Sequence, residues 1–321
     1  MAPATPSAIA CEGISKSYGD VRAVQELALE VPAGAVYGFL GPNGSGKTTT
    51  IRMMVNILVP DAGRVLIQGK PAGDHTKDLI GYLPEERGLY LKMKVSELLE
   101  FFAELKGVRP AQARQRAQQW LKRMELSDWG EKKLNALSKG MQQKIQFIVA
   151  VIADPPILIL DEFSSGLDPV NANQLKDILL ELCAQGKTIL FSTHRMEEAE
   201  RLCDHVCLIH HGRKVLDGRL ADIRAAAGKS TLRVDYRGDR AIFNQTPGVL
   251  QADDFGNYAE LRLAPESQSP AAVSTILRFL APRLEITRFE LLEPSLNQIF
   301  LDAVGGPPAP ATSNQQLATS N

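Results

Sequence analysis

The chain has 321 residues, which is long enough for two domains of about 150 residues each. A hydrophobic content of 44% and a charged content of 23% are those of a soluble globular protein. The 36 basic and 37 acidic residues give a net charge of -1, so the chain has no strong field of its own for holding nucleic acid or an anionic membrane. No apolar run approaches the ~20 residues of a membrane-spanning helix, and residues 1–8 are small and polar, which predicts a flexible leader.

The first elements in chain order have the patterns of strands. Residues 9–18 are predicted to form an edge strand, and residues 24–31 a second strand. Residues 35–40 form a short apolar run of strand type, and residues 49–54 begin a helical pattern. The segment between them, residues 41–48, matches G-x-x-x-x-G-K-[ST], the phosphate-binding loop that leads from a buried strand into a helix.

This loop predicts a nucleotide site. Its glycines let the backbone curl, so that successive N–H groups point at an anion beside a positive helix N-terminus. Lys47 is expected to reach the β- and γ-phosphates, and the Thr48 hydroxyl to ligate Mg²⁺. The alternative is a glycine-rich turn that binds nothing. The residues expected to bind the nucleotide are Gly41, Pro42, Asn43, Gly44, Ser45, Gly46, Lys47, Thr48 and Thr49.

A helical subdomain follows two more short strands. Residues 63–69 and 80–83 have strand patterns, and the second of these leads into Glu85. Residues 87–153 then carry two amphipathic helices and a third helix, for which Ser138 is placed as the N-cap.

The next segment supplies candidate catalytic groups. Residues 157–160 are continuously apolar, as in a strand buried on both faces, and they end in Asp161 and Glu162. Sites in α/β proteins lie at the carboxyl ends of strands. We therefore expect Asp161 to hold Mg²⁺ and Glu162 to polarise the attacking water. His194 ends another strand, where a ring N–H can donate to the γ-phosphate, although a lone histidine is more often structural.

The strand–helix alternation predicts an α/β fold with a doubly wound phosphate-loop core and an antiparallel β edge, over residues 9–228. After a linker at residues 225–228 the pattern changes to a small α+β domain, residues 229–304, without a motif that carries chemistry. Residues 305–321 are rich in Pro, Ala, Ser, Asn and Gln and are expected to be disordered.

Together these motifs resemble those of the ATP-binding-cassette (ABC) ATPases. Residues 41–48, 137–141, 157–162 and 165–168 and His194 occur in the order seen in that family. The discriminating segment is Leu-Ser-Lys-Gly-Met at 137–141, because other phosphate-loop enzymes share the first and third motifs. Over about residues 9–220 the chain resembles the nucleotide-binding subunit of an ABC transporter, which implies ATP and Mg²⁺ as cofactors.

The resemblance also implies roles for individual residues. Tyr18 matches the aromatic residue that stacks on adenine, Glu162 the general base and His194 the switch histidine.

Three further matches concern a second copy of the chain. Ser138 and Gly140 match positions that contact the γ-phosphate of the ATP held by the opposite subunit, and Asp168 matches the residue that communicates across the dimer. A serine N-cap with free N–H groups makes an anion site that has no phosphate of its own nearby. If a second copy supplies the phosphate, the dimer is two-fold and head-to-tail, with ATP holding it together.

Two departures from the usual motifs indicate a branch of the family. Lys139 and Met141 replace the usual glycine and glutamine, and Glu85 stands where a glutamine that contacts nucleotide and Mg²⁺ is expected. Both variants, and residues 293–300, resemble type-two exporters that include sodium- and drug-extrusion systems. ATPases of that branch carry a similar C-terminal extension.

We therefore expect an ATP-hydrolysing subunit that powers export through a separate membrane permease, bound at the cytoplasmic face of the membrane. The surface of the helical subdomain is expected to dock on the permease. Four irregularly spaced cysteines predict reduced thiols, as in a cytosolic protein.

Two alternatives fit the sequence less well. A soluble ABC protein acting on ribosomes or DNA resembles two fused cassettes or carries a long coiled coil, and the charge here gives no nucleic-acid footprint. A second alternative is a phosphate-loop kinase or GTPase, in which residues 137–141 and His194 would have no explanation.

Overall fold

The computed structural model describes residues 6–86, 88–228 and 230–305. The chain divides into two compact units, Met1–Leu220 and Ala221–Asn321. Within the described ranges, none of the helices combines the length and the apolar character that a membrane crossing requires.

The first unit begins with strands and the helix that follows the phosphate loop. Its elements in this part are β1 (Ser7–Tyr18), β2 (Val21–Pro32), β3 (Val36–Leu40), α1 (Lys47–Met54), β4 (Ala62–Ile67), β5 (Lys70–Pro71) and β6 (Ile80–Leu83). Three helices come next, α2 (Val95–Leu105), α3 (Pro110–Arg123) and α4 (Lys139–Val151). The unit is completed by β7 (Ile157–Asp161), α5 (Pro169–Ala184), β8 (Thr188–Thr193), α6 (Met196–Leu202), β9 (His205–His210) and β10 (Arg213–Arg219).

Six of these strands form the central sheet, in the order β10-β9-β3-β8-β7-β6. All neighbours are parallel except β10, which runs antiparallel to β9. Every residue of β3, β7 and β8 is buried, which explains the apolar runs of β3 and of β7 before Asp161. The predicted α/β core is confirmed. The carboxyl ends of β3, β7 and β8 lie side by side at one edge and bring the phosphate loop, Asp161 and His194 to the same place.

A second, antiparallel sheet has the order β2-β1-β4-β5 and corrects two expectations. β1 is not an edge strand, because β4 pairs with its other side and buries Cys11 beside Val65. The strand also begins at Ser7, and Ala8 is buried, so the leader predicted for residues 1–8 is wrong for its last two residues. Residues 1–5 lie outside the described part.

The helical part of the first unit buries the predicted apolar faces. One cluster joins side chains of the three helices to the central sheet, among them Leu98, Leu99, Leu121, Phe147 and Leu160. Arg87, the first residue of the predicted subdomain, lies outside the described residues.

The second unit begins within α7 (Leu220–Ala227) and is a sheet with helices. It contains β11 (Thr231–Arg237), β12 (Val249–Asp254), β13 (Tyr258–Leu263), α8 (Pro270–Leu280), β14 (Glu285–Leu292) and α9 (Leu296–Gly305). The strand order is β12-β13-β11-β14, and every neighbouring pair is antiparallel. Its core includes Leu232, Val234, Leu261, Ile276 and Leu280.

Two boundaries differ from the sequence prediction. Residues 225–227 are the end of α7 rather than a linker, because alanine is the best helix former. Gly228, with φ of 69°, ends that helix. Gly305 belongs to α9 and not to a disordered tail, while residues 306–321 lie outside the described residues.

Candidate active site

The phosphate loop connects β3 to α1 and lies tightly against neighbouring backbone. Gly41 and Gly46 have φ values of 157° and 103°. A Cβ atom on Gly41 would lie 2.3 Å from the Ile209 carbonyl oxygen, and one on Gly46 would lie 2.3 Å from the Ala23 oxygen. Both positions therefore require glycine for conformation and for space.

Lys47, the first residue of α1, is buried beneath this loop. Its ammonium group donates hydrogen bonds to the carbonyl oxygens of Gly41 (2.8 Å) and Pro42 (3.2 Å), and lies 3.8 Å from Glu162 Oε1. Burial lowers the pKa of Lys47, while the charges of Glu162, Asp161 and Glu85 oppose that shift. Because a phosphate would add negative charge beside this ammonium group, it would further favour the charged form.

Asp161 ends β7 and is fully buried. The Ser192 hydroxyl donates to Asp161 Oδ1, whereas Oδ2 has no hydrogen-bond partner among the described residues. Ser45 Oγ, within the phosphate loop, is likewise buried and without a partner in the part of the chain that the structure describes. Unpaired buried polar atoms are costly, so these two suit a ligand that carries a cation and phosphate oxygens.

The charged groups present fit Mg²⁺ bound together with phosphates. In the described ranges, no group of three His, Cys, Asp or Glu side chains converges to hold a metal by itself. Mg²⁺ is commonly held by one or two carboxylates, waters and substrate phosphates. The site therefore suits Mg²⁺ that arrives with a nucleotide, and Thr48 and Asp161 are the residues that would hold it.

Glu162 and His194 are in direct contact. Glu162 Oε1 lies 3.0 Å from His194 Nδ1, and its backbone N–H donates to the Ser192 hydroxyl oxygen at 3.1 Å. Glu162 has a positive φ of 51°, which is uncommon for a residue with a side chain and recurs at functional sites. The Glu162 side chain is 10% exposed and that of His194 is 50% exposed, so the pair reaches from the protein interior to solvent.

An open cavity of about 780 Å³ lies over the loop. The predicted residues that line it are Asn43, Gly44, Gly46, Lys47, Thr48, Thr49, Glu85 and Glu162. Tyr18 is not among the lining residues. It is half exposed at the end of β1, beside Asp20, Val21 and Arg22, which do line the cavity. His211 also lines the cavity and was not foreseen, because it lies in the β9–β10 turn, far away in sequence.

Ser138, Gly140 and Asp168 do not line this cavity. Ser138 is the N-cap of α4 and accepts the Met141 N–H at 3.2 Å. Asp168 is the N-cap of α5, and its hydrogen bonds from the backbone and side chain of Asn171 hold its pKa below the usual range. The structure therefore separates the predicted site residues into two sets, one around the phosphate loop and one at two helix N-termini.

Two buried glutamines of α4, which the sequence analysis missed, fix the acidic loops. Gln143 donates its side-chain amide to the Phe163 carbonyl oxygen at 3.1 Å, directly after Glu162. Gln146 donates to the Pro84 and Glu86 oxygens at 2.8 and 3.2 Å, on either side of Glu85. The available signal was two polar side chains within a helix whose other residues are mostly apolar.

Comparison with known proteins gives two family matches. A family described as "ABC transporter" matches residues 24–165. A second, described as "ATP-binding protein DrrA1-3-like, C-terminal domain", matches residues 218–304.

Individual relatives extend over nearly the whole chain. The ABC transporter ATP-binding protein YhaQ of Bacillus subtilis (strain 168), described as uncharacterized, is 42% identical over 91% of this chain and 97% of its own length. The daunorubicin/doxorubicin resistance ATP-binding protein DrrA of Streptomyces peucetius is 32% identical over 97% of this chain and 96% of its own. Among solved structures, the dimeric bacterial ABC transporter cassette MJ0796 is similar with a TM-score of 0.62, 25% identity, and coverage of 66% of this chain and 98% of that cassette.

Proposed function

Because the chain belongs to the ABC transporter ATP-binding proteins and is an ATPase of that family, we propose that it powers export through a separate membrane permease. In this proposal two copies bind ATP between them in a head-to-tail dimer. Hydrolysis then releases the dimer, and the subunit is held at the cytoplasmic face of the membrane by the permease.

One observation carries the proposal: α4, whose N-terminus lies within the discriminating residues 137–141, begins away from the cavity of its own chain. Ser138 is exposed and caps α4, where the N–H groups of Lys139 and Gly140 have no acceptor within the helix. Helix starts of this kind attract anions. A phosphate held by a second copy would complete the site, and a two-fold dimer would form two such sites at once.

The residues in and beside the cavity suggest separate roles in hydrolysis. Lys47 would exchange its contact with Glu162 for the phosphates, which frees the carboxylate to accept a proton from the attacking water. His194 would donate its Nδ1–H to Glu162 Oε1 and so fix the orientation of the base. Mg²⁺, held by Thr48 and Asp161, and by Glu85 only when a permease is bound, would supply positive charge against the phosphoryl group that is transferred.

Mixing two inactive variants tests the shared site. Lys47→Ala removes the phosphate contact, and Ser138→Glu places a negative charge at the exposed helix start. Each variant alone should be nearly inactive, and only Ser138→Glu should still bind fluorescent ATP. A mixed dimer contains one intact site, made of the phosphate loop of the Ser138→Glu chain and residues 137–141 of the Lys47→Ala chain. An equal mixture should therefore recover about a quarter of the wild-type ATPase rate. No recovery would contradict a site shared between copies.

The export part of the proposal relies on the surface of the helical subdomain. Tyr90, Leu91, Phe101 and Leu105 are 56%, 49%, 42% and 66% exposed, and the rings of Tyr90 and Phe101 pack edge to face at 6.1 Å. Large apolar side chains gathered on a surface indicate a partner. A permease would cover them, and the resistance named for DrrA agrees with export.

Cross-linking tests the permease surface. Cysteines at Lys94 or Glu97, beside this patch, should cross-link to a co-expressed membrane partner. A cysteine at Lys70, exposed in the antiparallel sheet, is the matched control and should not. The absence of a cross-link from any position of the helical subdomain would count against the transporter function.

A further inference from the structure

A buried acid on α6 lies directly behind the strand end that carries His194. The side chain of Glu198 is 1% exposed. Isolated buried carboxylates are strongly disfavoured and are retained where they have partners or a role. Neither ATP binding nor hydrolysis, as argued above, uses this one.

Glu198 holds the residues on both sides of His194. The Thr193 hydroxyl donates to Glu198 Oε2 at 3.1 Å, and the same hydroxyl accepts the backbone N–H of Arg195 at 3.0 Å. These two hydrogen bonds form a chain from the buried carboxylate to the turn that contains His194. The His194 ring itself is half exposed, so the interior supplies little other support for its position.

The second carboxylate oxygen connects this turn to α5. Glu198 Oε1 lies 3.7 Å from Lys176 Nζ and 4.0 Å from Arg195 Nη1. Neither contact is a hydrogen bond, and Oε1 has no hydrogen-bond donor within the described residues. Lys176 belongs to the helix whose N-cap is Asp168. Glu198 therefore lies between the His194 turn and the helix that begins at the predicted dimer contact.

We propose that Glu198 is a positioning residue that holds His194 against Glu162 through the Thr193 hydroxyl. This inference rests on the proposed role of His194 in hydrolysis. Its direct consequence is that loss of the Thr193–Glu198 link slows turnover while ATP still binds, because the phosphate loop does not depend on this link.

Two pairs of variants test the link. In Thr193→Val the side chain keeps nearly the same shape but loses the hydroxyl, whereas Thr193→Ser keeps the hydroxyl. Glu198→Met removes the oxygen that accepts the Thr193 hydroxyl, and Glu197→Met makes the same change at the exposed neighbour on α6. We expect Thr193→Val and Glu198→Met to lower kcat by about tenfold to 10²-fold, as for a misplaced catalytic group. Their affinity for fluorescent ATP should match that of the wild type, while Thr193→Ser and Glu197→Met should retain wild-type kcat.

Combination with His194→Ala separates a positioning role from general damage. His194→Ala alone should be slow, and addition of Thr193→Val should lower its kcat no further, since the link acts only through His194. If the double variant is slower by the product of the two single effects, or if Thr193→Ser does not rescue, the positioning role is wrong. If His194→Ala turns over like the wild type, the proposed role of His194 fails first, and this inference fails with it.

Discussion

The substitution Glu162→Gln isolates the group that we assign as the general base. Glutamine keeps the size of the side chain and an oxygen that can accept the Nδ1–H of His194, which lies 3.0 Å away in the native protein. What it removes is the negative charge and the ability to take a proton. Loss of a general base typically lowers the rate by about 10²–10⁴.

The same substitution should strengthen ATP binding. Glu162 Oε1 lies 3.8 Å from Lys47 Nζ, and both side chains are buried. A charge pair at ~4 Å interacts with about 4 kcal/mol at an effective dielectric constant near 20. Most of that energy is offset by desolvation of the pair. A net gain of about 1.4 kcal/mol in the binding free energy of ATP would make ATP bind about tenfold more tightly.

Steady-state ATPase assays and equilibrium titration with fluorescent ATP measure the two effects separately. Glu197→Gln, an exposed change of the same kind, is the control. Near-normal turnover of Glu162→Gln would reject Glu162 as the base. Weakened ATP binding would show instead that Glu162 organises the phosphate loop, and the electrostatic reasoning would be wrong.

Three further changes test other parts of the site. Lys47→Ala should weaken ATP binding itself, because it removes the ammonium group beneath the phosphate loop, and unchanged affinity by titration would mean that this loop is not the site. Glu85→Gln should change the basal ATPase rate little, because Glu85 is exposed in the isolated chain. It should alter the rate stimulated by a reconstituted permease, and a large loss of basal activity would contradict this. Gln146→Met should lower the free energy of unfolding by about 1–3 kcal/mol in urea titrations, because two backbone oxygens lose their buried donor. Gln142→Met, at a half-buried position of the same helix, should lower it less.

Local patterns were sufficient for the parts of the site that depend on one segment each. The phosphate loop is specified by glycines whose backbone no other residue can adopt, and its strand and helix follow from adjacent apolar patterns. The sequence predicts the position of Asp161 because β7 is apolar until its last residue, so the first carboxylate marks the carboxyl end of the strand. The rule that sites lie at the carboxyl ends of parallel strands places Glu162 and His194 at one edge of the sheet, although it does not predict their direct contact.

The features that were missed depend on pairing between distant segments. The partner of β1 on its second side is decided by tertiary packing of Val65, which the alternation within β1 does not reveal. Gln143 and Gln146 resemble ordinary polar helix residues until the loops that they hold are in place. The sequence pattern predicts a linker at residues 225–228, whereas the helix propensity of alanine continues α7 to Ala227.

The most direct test of the central claim is the mass of the Glu162→Gln variant in solution, measured by light scattering with and without ATP. A site shared by two copies predicts the mass of one chain without nucleotide and of two chains with saturating ATP. Addition of Ser138→Glu should return the protein to one chain while fluorescent ATP still binds. A single-chain mass for Glu162→Gln in saturating ATP, or a dimer that forms equally well without nucleotide, would contradict the account.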